Sequence, residues 1–177
     1  MEFGVDFETA HSSFRWADVL EGLGWPTDGP INIAATIDRN AATGGTAIDW
    51  HGADGSQRVL SFAEIAEASN RFANVLAGLG VTKGDRVAVI MPRVPETVIA
   101  MLGIWKAGAI YLPIFSAFGG ATTRTRLDDS GARVAIAHEN YRKSFSAIRN
   151  AVDGLIVVGG NSFSDREIDF ETAMAEA

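Results

Sequence analysis

From residue 61 onward the chain alternates segments of helical period with short unbroken apolar runs. Phe62, Ile65, Ala66, Ser69, Phe72, Ala73 and Leu76 recur at helical spacing and share one helix face. Ser61 and Glu64 have capping-box spacing at its start, and Gly78 and Gly80 supply the stop. Val81 to Asp85 is a turn. Arg86 to Met91 follows, with Val87, Ala88, Val89 and Ile90 in one apolar run, the pattern of a strand buried on both faces of a parallel sheet. Pro92 and Pro95 end it. Glu96 opens the next helix, where a carboxylate suits the positive end of the dipole, and that helix runs to about Lys106 and stops at Gly108. Ala109 to Leu112 reads as a strand, about Thr122 to Asp129 as a helix after Gly119-Gly120, Arg133 to Ala137 as a strand, Lys143 to Val152 as a helix and Leu155 to Val158 as a strand.

Helices alternating with strands through short connections predict an α/β fold: a parallel βαβ sheet with right-handed crossovers. Ligands of such sheets sit beyond the carboxyl ends of the strands. Here those ends are Pro92 to Pro95, Pro113 to Gly120 and His138 to Arg142, the last being the most polar. Ahead of the sheet, Ala47 to Trp50 and Arg58 to Ser61 flank Gly52, Asp54, Gly55 and Ser56, which reads as a β-hairpin with a polar tip. Residues 1–45 read as an irregular arm containing Trp16, Trp25, Pro26, Gly29 and Pro30, with a short helix over Ile31 to Asn40. The α/β body is expected over residues 46–160. Residues 161–177 carry five acids against Arg166, an acidic tail expected as a solvated helix or a frayed end.

Composition narrows the picture. In 177 residues, 47% are apolar and 21% charged, which is globular rather than disordered. The net charge of −7 argues against a whole-surface nucleic-acid binder. Without Cys there is no disulfide, thiolate zinc site or Cys nucleophile. Residues Met1 to Ala10 carry Glu2, Asp6 and Glu8 and no basic, apolar leader, so the expected compartment is the cytoplasm. Thr97 to Phe118 has Lys106 as its only charge and is long enough to span a bilayer. Gly103, Gly108 and Pro113 interrupt it, however, and a buried helix followed by a buried strand explains it better than membrane insertion.

Several chemistries lack their motifs. There is no G-x-G-x-x-G after a strand, no G-x-x-x-x-G-K-[ST] and no G-x-S-x-G elbow. His11, His51 and His138 lack metal-ligand spacing, so no metal site is expected. Thr43-Gly44-Gly45-Thr46 reads as a turn. What remains is a cationic stretch. Between Gly120 and Asn150 six basic residues (Arg124, Arg126, Arg133, Arg142, Lys143 and Arg149) face three acids, Asp128, Asp129 and Glu139. Planar guanidinium donors suit phosphate oxygens, and Arg142 and Lys143 follow a strand end where a ligand would sit. The same residues equally suit a solvated helix face paired to Asp128 and Asp129.

Three ordered blocks carry a resemblance: Val81 to Val89 (VTKGDRVAV), Pro92 to Glu96 (PRVPE) and Lys106 to Pro113 (KAGAIYLP). They resemble the N-terminal part of AMP-forming acyl-CoA synthetases, adenylate-forming ligases. Ile114 to Gly120 (IFSAFGG) and Arg126 to Arg133 (RLDDSGAR) narrow the resemblance to the acetyl- and medium-chain acyl-CoA synthetase branch. It covers roughly Ile31 to Gly159 and makes the α/β body part of that family's large N-terminal domain. It implies a ligase that activates a small carboxylic acid with ATP and magnesium, releases pyrophosphate and passes the acyl group to coenzyme A.

The departures are as informative. The family's Ser/Thr/Gly-rich phosphate loop, its nucleotide-binding motifs, its Tyr-x-x-Gly-Asp segment and its catalytic lysine are not found in these 177 residues. The resemblance therefore implies an N-terminal fragment, or one piece of a split enzyme completed by a complementary C-terminal chain, and no catalytic residue is expected here. By the same resemblance Arg142 corresponds to an arginine that contacts the phosphates of coenzyme A. Phe145 departs from a second arginine, with Lys143 as a substitute charge. Phe118, Gly119 and Gly120 correspond to a turn near the pantetheine channel. The alternative is a non-catalytic coenzyme A-binding or interaction module.

Overall fold

The computed structural model describes residues 6–26, 28–161 and 163–177. The chain divides into two units, Met1–Asn32 and Ile33–Ala177. In the first, two one-to-two-turn helices occur where the sequence suggests irregular chain: α1 (Phe7–Ser13) and α2 (Trp16–Gly22). Asp6 caps α1 by accepting from the Thr9 amide at 3.1 Å. Neither helix buries a residue, which is why apolar periodicity gave no sign of them.

The second unit begins with α3 (Ala35–Ala41), then the antiparallel hairpin β1 (Thr46–His51) and β2 (Gln57–Ser61). Next come α4 (Phe62–Gly78), β3 (Arg86–Ile90), α5 (Pro95–Lys106), β4 (Ile110–Pro113), α6 (Gly120–Ser130) and β5 (Val134–His138). A 3₁₀ turn over Glu139–Ser144 leads into α7 (Phe145–Arg149), β6 (Gly154–Val158), β7 (Glu167–Asp169) and α8 (Phe170–Glu176). The strands after the hairpin form one parallel sheet in the order β4-β3-β5-β6-β7.

The unbroken apolar runs are divided between two cores by the two-residue period of a strand. Val87, Val89, Val134, Ile136, Ile156 and Val158 face one way, against Ile65, Phe72 and Leu76 of α4, Ile99 and Ile104 of α5, and Phe170 of α8. Ala88, Ile90, Ala135, Ala137, Leu155 and Val157 face the other way, against Leu127 of α6 and Phe145 and Ile148 of α7. Each large aliphatic so buried contributes about 1.5–3 kcal/mol.

Ser61 and Glu64 make both bonds of the capping box, so the start of α4 is the one the sequence predicts. α5 packs on α4 at Gly103, where an added Cβ would come within 2.8 Å of the Phe72 ring. At the end of α5, Lys106 donates to Asp38 of α3 (2.6 Å), Asn70 of α4 (2.6 Å) and the Ala66 carbonyl (3.1 Å). Its three donors thus meet three acceptors, and the one charge of the Thr97 to Phe118 stretch ties three helices together. No described helix is long and apolar enough to cross a membrane.

Two expectations are corrected. The helix over Lys143 to Val152 is only five residues of α-helix, preceded by 3₁₀ structure with a kink at Tyr141 (φ −106°, ψ 17°). The acidic stretch after 160 is neither frayed nor wholly solvated. It adds β7 to the sheet edge and buries Glu167 and Phe170.

Candidate functional site

The crossover from β3 to β4 runs to one side of β3 and the return from β4 to β5 runs to the other. The sheet therefore has a switch point between β3 and β5, where parallel sheets open a crevice beyond their carboxyl ends. An open cleft of about 630 Å³ lies in that region. Met91, Pro92 and Arg93 line it from the β3–α5 connection, Thr97 from the first turn of α5, Tyr111, Pro113, Ile114, Phe115 and Ser116 from β4 and its following loop, and Tyr141 from the 3₁₀ turn.

The prolines that end the strands keep the crevice open, because they cannot donate to a continuing ladder. The loop after β3 is held from below. The Thr97 hydroxyl donates to the Pro92 carbonyl at 2.7 Å, and the Trp50 indole of β1 donates to the Arg93 carbonyl at 2.7 Å. Arg58 of β2 donates to Glu96 at 2.6 Å, and Glu96 is itself buried in the first turn of α5. The hairpin is therefore a brace for one wall of the cleft.

Burial raises the Tyr111 phenol above its ordinary pKa. At the end of β5, His138 accepts from the Asn140 amide through Nδ1 at 3.1 Å. Burial lowers the imidazole pKa, an effect opposed by the charges of Glu96 and Glu139.

The expected site residues are placed as follows. Phe118 stands edge-on to Phe115, with ring centroids 5.6 Å apart, and carries the Arg126 guanidinium over its face at 4.4 Å. Gly119 is the N-cap of α6, and Gly120 lies so near the 3₁₀ turn and α7 that an added Cβ would come within 3.4 Å of Ala147 and 3.8 Å of Ser144. The Phe118–Gly120 turn and the segment carrying Arg142 and Lys143 are therefore neighbours. Lys143 is exposed.

Arg142 does not line the cleft; its neighbour Tyr141 does. The Arg142 guanidinium makes a two-point contact with Glu139, 2.6 Å at one oxygen, and reaches Glu167 at 3.2 Å. Its face lies 5.0 Å from the Phe145 ring centroid. The Arg142 bond holds the Glu139 carboxyl below the usual carboxylate range.

The remaining cations of the stretch separate. Arg124 pairs with Asp128 one helical turn away at 2.7 Å, the solvated-face arrangement. Arg133 works at the opposite end of the strands, on Asp85, Asp153 and the Gly80 carbonyl. Thr97, Tyr111, Ser116, Tyr141 and Glu167 escaped the sequence reading. The prolines flanking two strand ends were the available signal for the first three; Glu167 had none. Among the described residues no group of three His, Cys, Asp or Glu side chains is arranged to hold a metal ion, and no carboxylate lines the cleft.

Residues 35–176 match the family of AMP-binding enzymes. The chain belongs to that family. Among curated relatives of this AMP-binding chain, the acetyl-coenzyme A synthetase of Streptomyces coelicolor is 39% identical over 142 residues, 77% of this chain and 22% of that protein. That of Salmonella typhimurium is 41% identical over 138 residues, 74% and 21% of the two chains. The crystal structure of Brucella canis acyl-CoA synthetase superposes with a TM-score of 0.86 at 32% identity, covering 97% of this chain and 32% of that one. The chain thus corresponds to the N-terminal portion of an AMP-forming acyl-CoA synthetase and spans about a fifth of the curated relatives it matches. The α/β class and the small hairpin agree with the expectation from sequence.

Proposed function

We propose that these 177 residues supply the N-terminal scaffold of an ATP-dependent acetyl- or acyl-CoA ligase and that on their own they form no acyl-adenylate. One observation carries the reading. The cleft at the switch point offers hydroxyls, one exposed guanidinium and apolar walls, but no carboxylate for magnesium and no glycine-rich loop for a triphosphate. Adenylate formation needs preorganised donors and cations where charge develops on phosphorus. The described residues do not fit a magnesium site, so no step is assigned to the metal. ATP, magnesium and the small carboxylic acid belong to the ligase that a complementary C-terminal segment or chain would complete.

The test is ATP–pyrophosphate exchange by the purified chain with acetate, propionate and butyrate. No exchange above the enzyme-free blank is expected; substantial exchange would refute the proposal.

A second reading, that the chain binds coenzyme A without catalysis, is favoured by the packing of Gly120 against Ser144 and Ala147. That packing sets the Phe118–Gly120 turn beside the segment that carries Arg142 and Lys143, cations of a type suited to phosphate. Saturable binding of coenzyme A that weakens in Arg142→Ala supports it. No saturable binding, or an unchanged affinity, removes Arg142 from the site.

A further inference from the structure

The two edges of the parallel sheet differ in charge. Around β7, residues 165–171 carry the acids Asp165, Glu167, Asp169 and Glu171 against Arg166. Around β4, the chain is without charge from Ala107 to Thr123. Among the described strands β4 pairs with β3 alone, so its other side is an open row of backbone groups. Ile110 of that strand is 51% exposed, and Phe115 in the following loop is 66% exposed. Natural sheets blunt such edges with charged side chains, and β4 has none.

The ladder fixes which groups are open. The Ile110 and Ile114 amides donate inward, to the carbonyls of Asp85 (2.7 Å) and Val89 (2.9 Å). The backbone groups of alternate strand residues point to opposite sides, so Tyr111 turns both its N–H and its C=O outward. Its neighbours limit the row. Pro113 has no N–H to offer, and the Ala109 amide is bonded to the Ile104 carbonyl at 3.0 Å. The edge thus presents one complete donor–acceptor pair, at Tyr111. Ile110 and Leu112 flank it with their side chains on the α6/α7 face.

Such a pair is complementary to itself. In an antiparallel ladder two opposed residues exchange both bonds. A two-fold axis at Tyr111 sets that residue against the partner's Tyr111 and sets Ile110 against the partner's Leu112. The exposed Ile110 then meets an apolar side chain at about 5 Å between Cβ atoms. Charge selects the same edge. At a net charge of −7 two copies repel in most orientations, and β4 lets them approach without setting acid against acid, as β7 would.

We propose that the β4 edge is a self-association surface, on which two copies of this chain pair antiparallel through Tyr111 and join their five-stranded sheets into one. Tyr111, Pro113 and Phe115 also line the cleft, so the contact runs along one wall of each copy's cleft. A single exchanged pair makes the dimer weak, with a dissociation constant on the order of 100 µM. It also makes the assembly closed, because a two-fold contact uses each β4 edge once.

The test is sedimentation equilibrium of the full 177-residue chain between about 10 µM and 1 mM, with hydrogen exchange read at the Tyr111 amide over the same range. A reversible monomer–dimer equilibrium is expected, with Tyr111 exchange about 4-fold slower at the top of the range than at the bottom. Ile110→Lys and Ile110→Glu put opposite charges on the edge, and each should raise the dissociation constant about 10-fold or more. Val59→Lys, at a residue of similar exposure (55%) on the hairpin, should leave it unchanged. A monomer throughout, with Tyr111 exchange independent of concentration, overturns the proposal and leaves the edge to a parallel strand of the complementary ligase segment. A dimer that both Ile110 variants leave intact, or that Val59→Lys weakens equally, places the contact elsewhere and overturns it too. Dissociation by only one of the two charges overturns it as an apolar pairing, and growth beyond dimers overturns the two-fold. Should either Ile110 variant melt below the parent, the concentration dependence of Tyr111 exchange in the parent decides the matter alone.

Discussion

The two ends of the parallel strands are built on opposite plans. At the amino ends, polar groups are consumed by the fold. Arg86 donates to the carbonyls of Ser130 (2.8 Å), Gly131 (2.7 Å) and Gly84 (3.4 Å), tying β3 to the end of α6. Gly131 closes that helix at φ 59°, a conformation glycine adopts without steric cost, and a Cβ there would lie 2.8 Å from the Arg86 guanidinium. Asp85 accepts from the Thr82 amide and hydroxyl and from Arg133, which also holds Asp153. At the carboxyl ends the chain turns away through Pro92 and Pro113 and leaves a cleft walled by hydroxyls and rings. Arginines of equal appearance in the sequence thus have unequal surroundings: Arg86 and Arg133 at the amino ends close the fold, whereas past the carboxyl ends Arg93 lines the open cleft and Arg142 is held by Glu139 and Glu167.

The sharpest way to break this contrast is to remove one arginine from each end. Arg86→Leu should cost about 2–3 kcal/mol, because three carbonyls lose a charged donor together. Arg93→Leu in the exposed wall of the cleft should cost under about 0.5 kcal/mol. Denaturant midpoints of the two variants measure the difference, and equal costs would abolish the distinction.

Acid should discriminate the ends less strongly. The Thr82 amide and hydroxyl, then the charge of Arg133, hold the Asp85 carboxyl below its ordinary value. A folded pKa below the unfolded one contributes stability that is present above the unfolded value, near 4, and is lost as the pH falls through the folded one. Asp85→Asn should therefore lower the midpoint at pH 7 and flatten its decline between about pH 5 and pH 2. Thr82 and Arg133 lose a structural partner in that variant. In Glu139→Gln, beyond the carboxyl end of β5, the decline should flatten while the midpoint at pH 7 moves less, since Arg142 keeps Glu167. A larger loss at pH 7 in Glu139→Gln than in Asp85→Asn would reverse the assignment of the two ends.

How much of this was legible in advance follows the range of the interactions. The run Val87 to Ile90 carries its own instruction, since a strand with no polar alternation must be covered on both faces, and the two cores divide it residue by residue. The capping box at Ser61 is equally local. β7 is not. Glu167-Ile168-Asp169 reads as solvated because two of its three residues are acids; it joins the sheet by pairing with β6, and its buried Glu167 side chain is held by Arg142 and Arg149, whose reach across 18 to 25 residues has no local signature. The same holds within the candidate site. Arg142 stands out by type and position after a strand. That it pairs with Glu139 and Glu167 while Tyr141 takes the cleft depends on the kink at Tyr141, and no glycine or proline marks that kink.

The smallest effect expected lies at His138, at the carboxyl end of β5. Burial lowers its pKa in the fold, with Glu96 and Glu139 opposing. A histidine whose folded pKa is lowered resists protonation, so the folded state keeps its full stability above the unfolded value of about 6.5 and loses some as the pH falls below it. Between pH 7.5 and 5.5 the parent chain should show a small decline in denaturant midpoint that His138→Asn removes. Asparagine has no charge to gain and retains a side-chain acceptor for the Asn140 amide. An identical decline in both proteins would place the titrating group elsewhere. A steeper decline in the variant would mean that Glu96 and Glu139 outweigh burial, and that the imidazole at this end of the sheet is held charged rather than neutral.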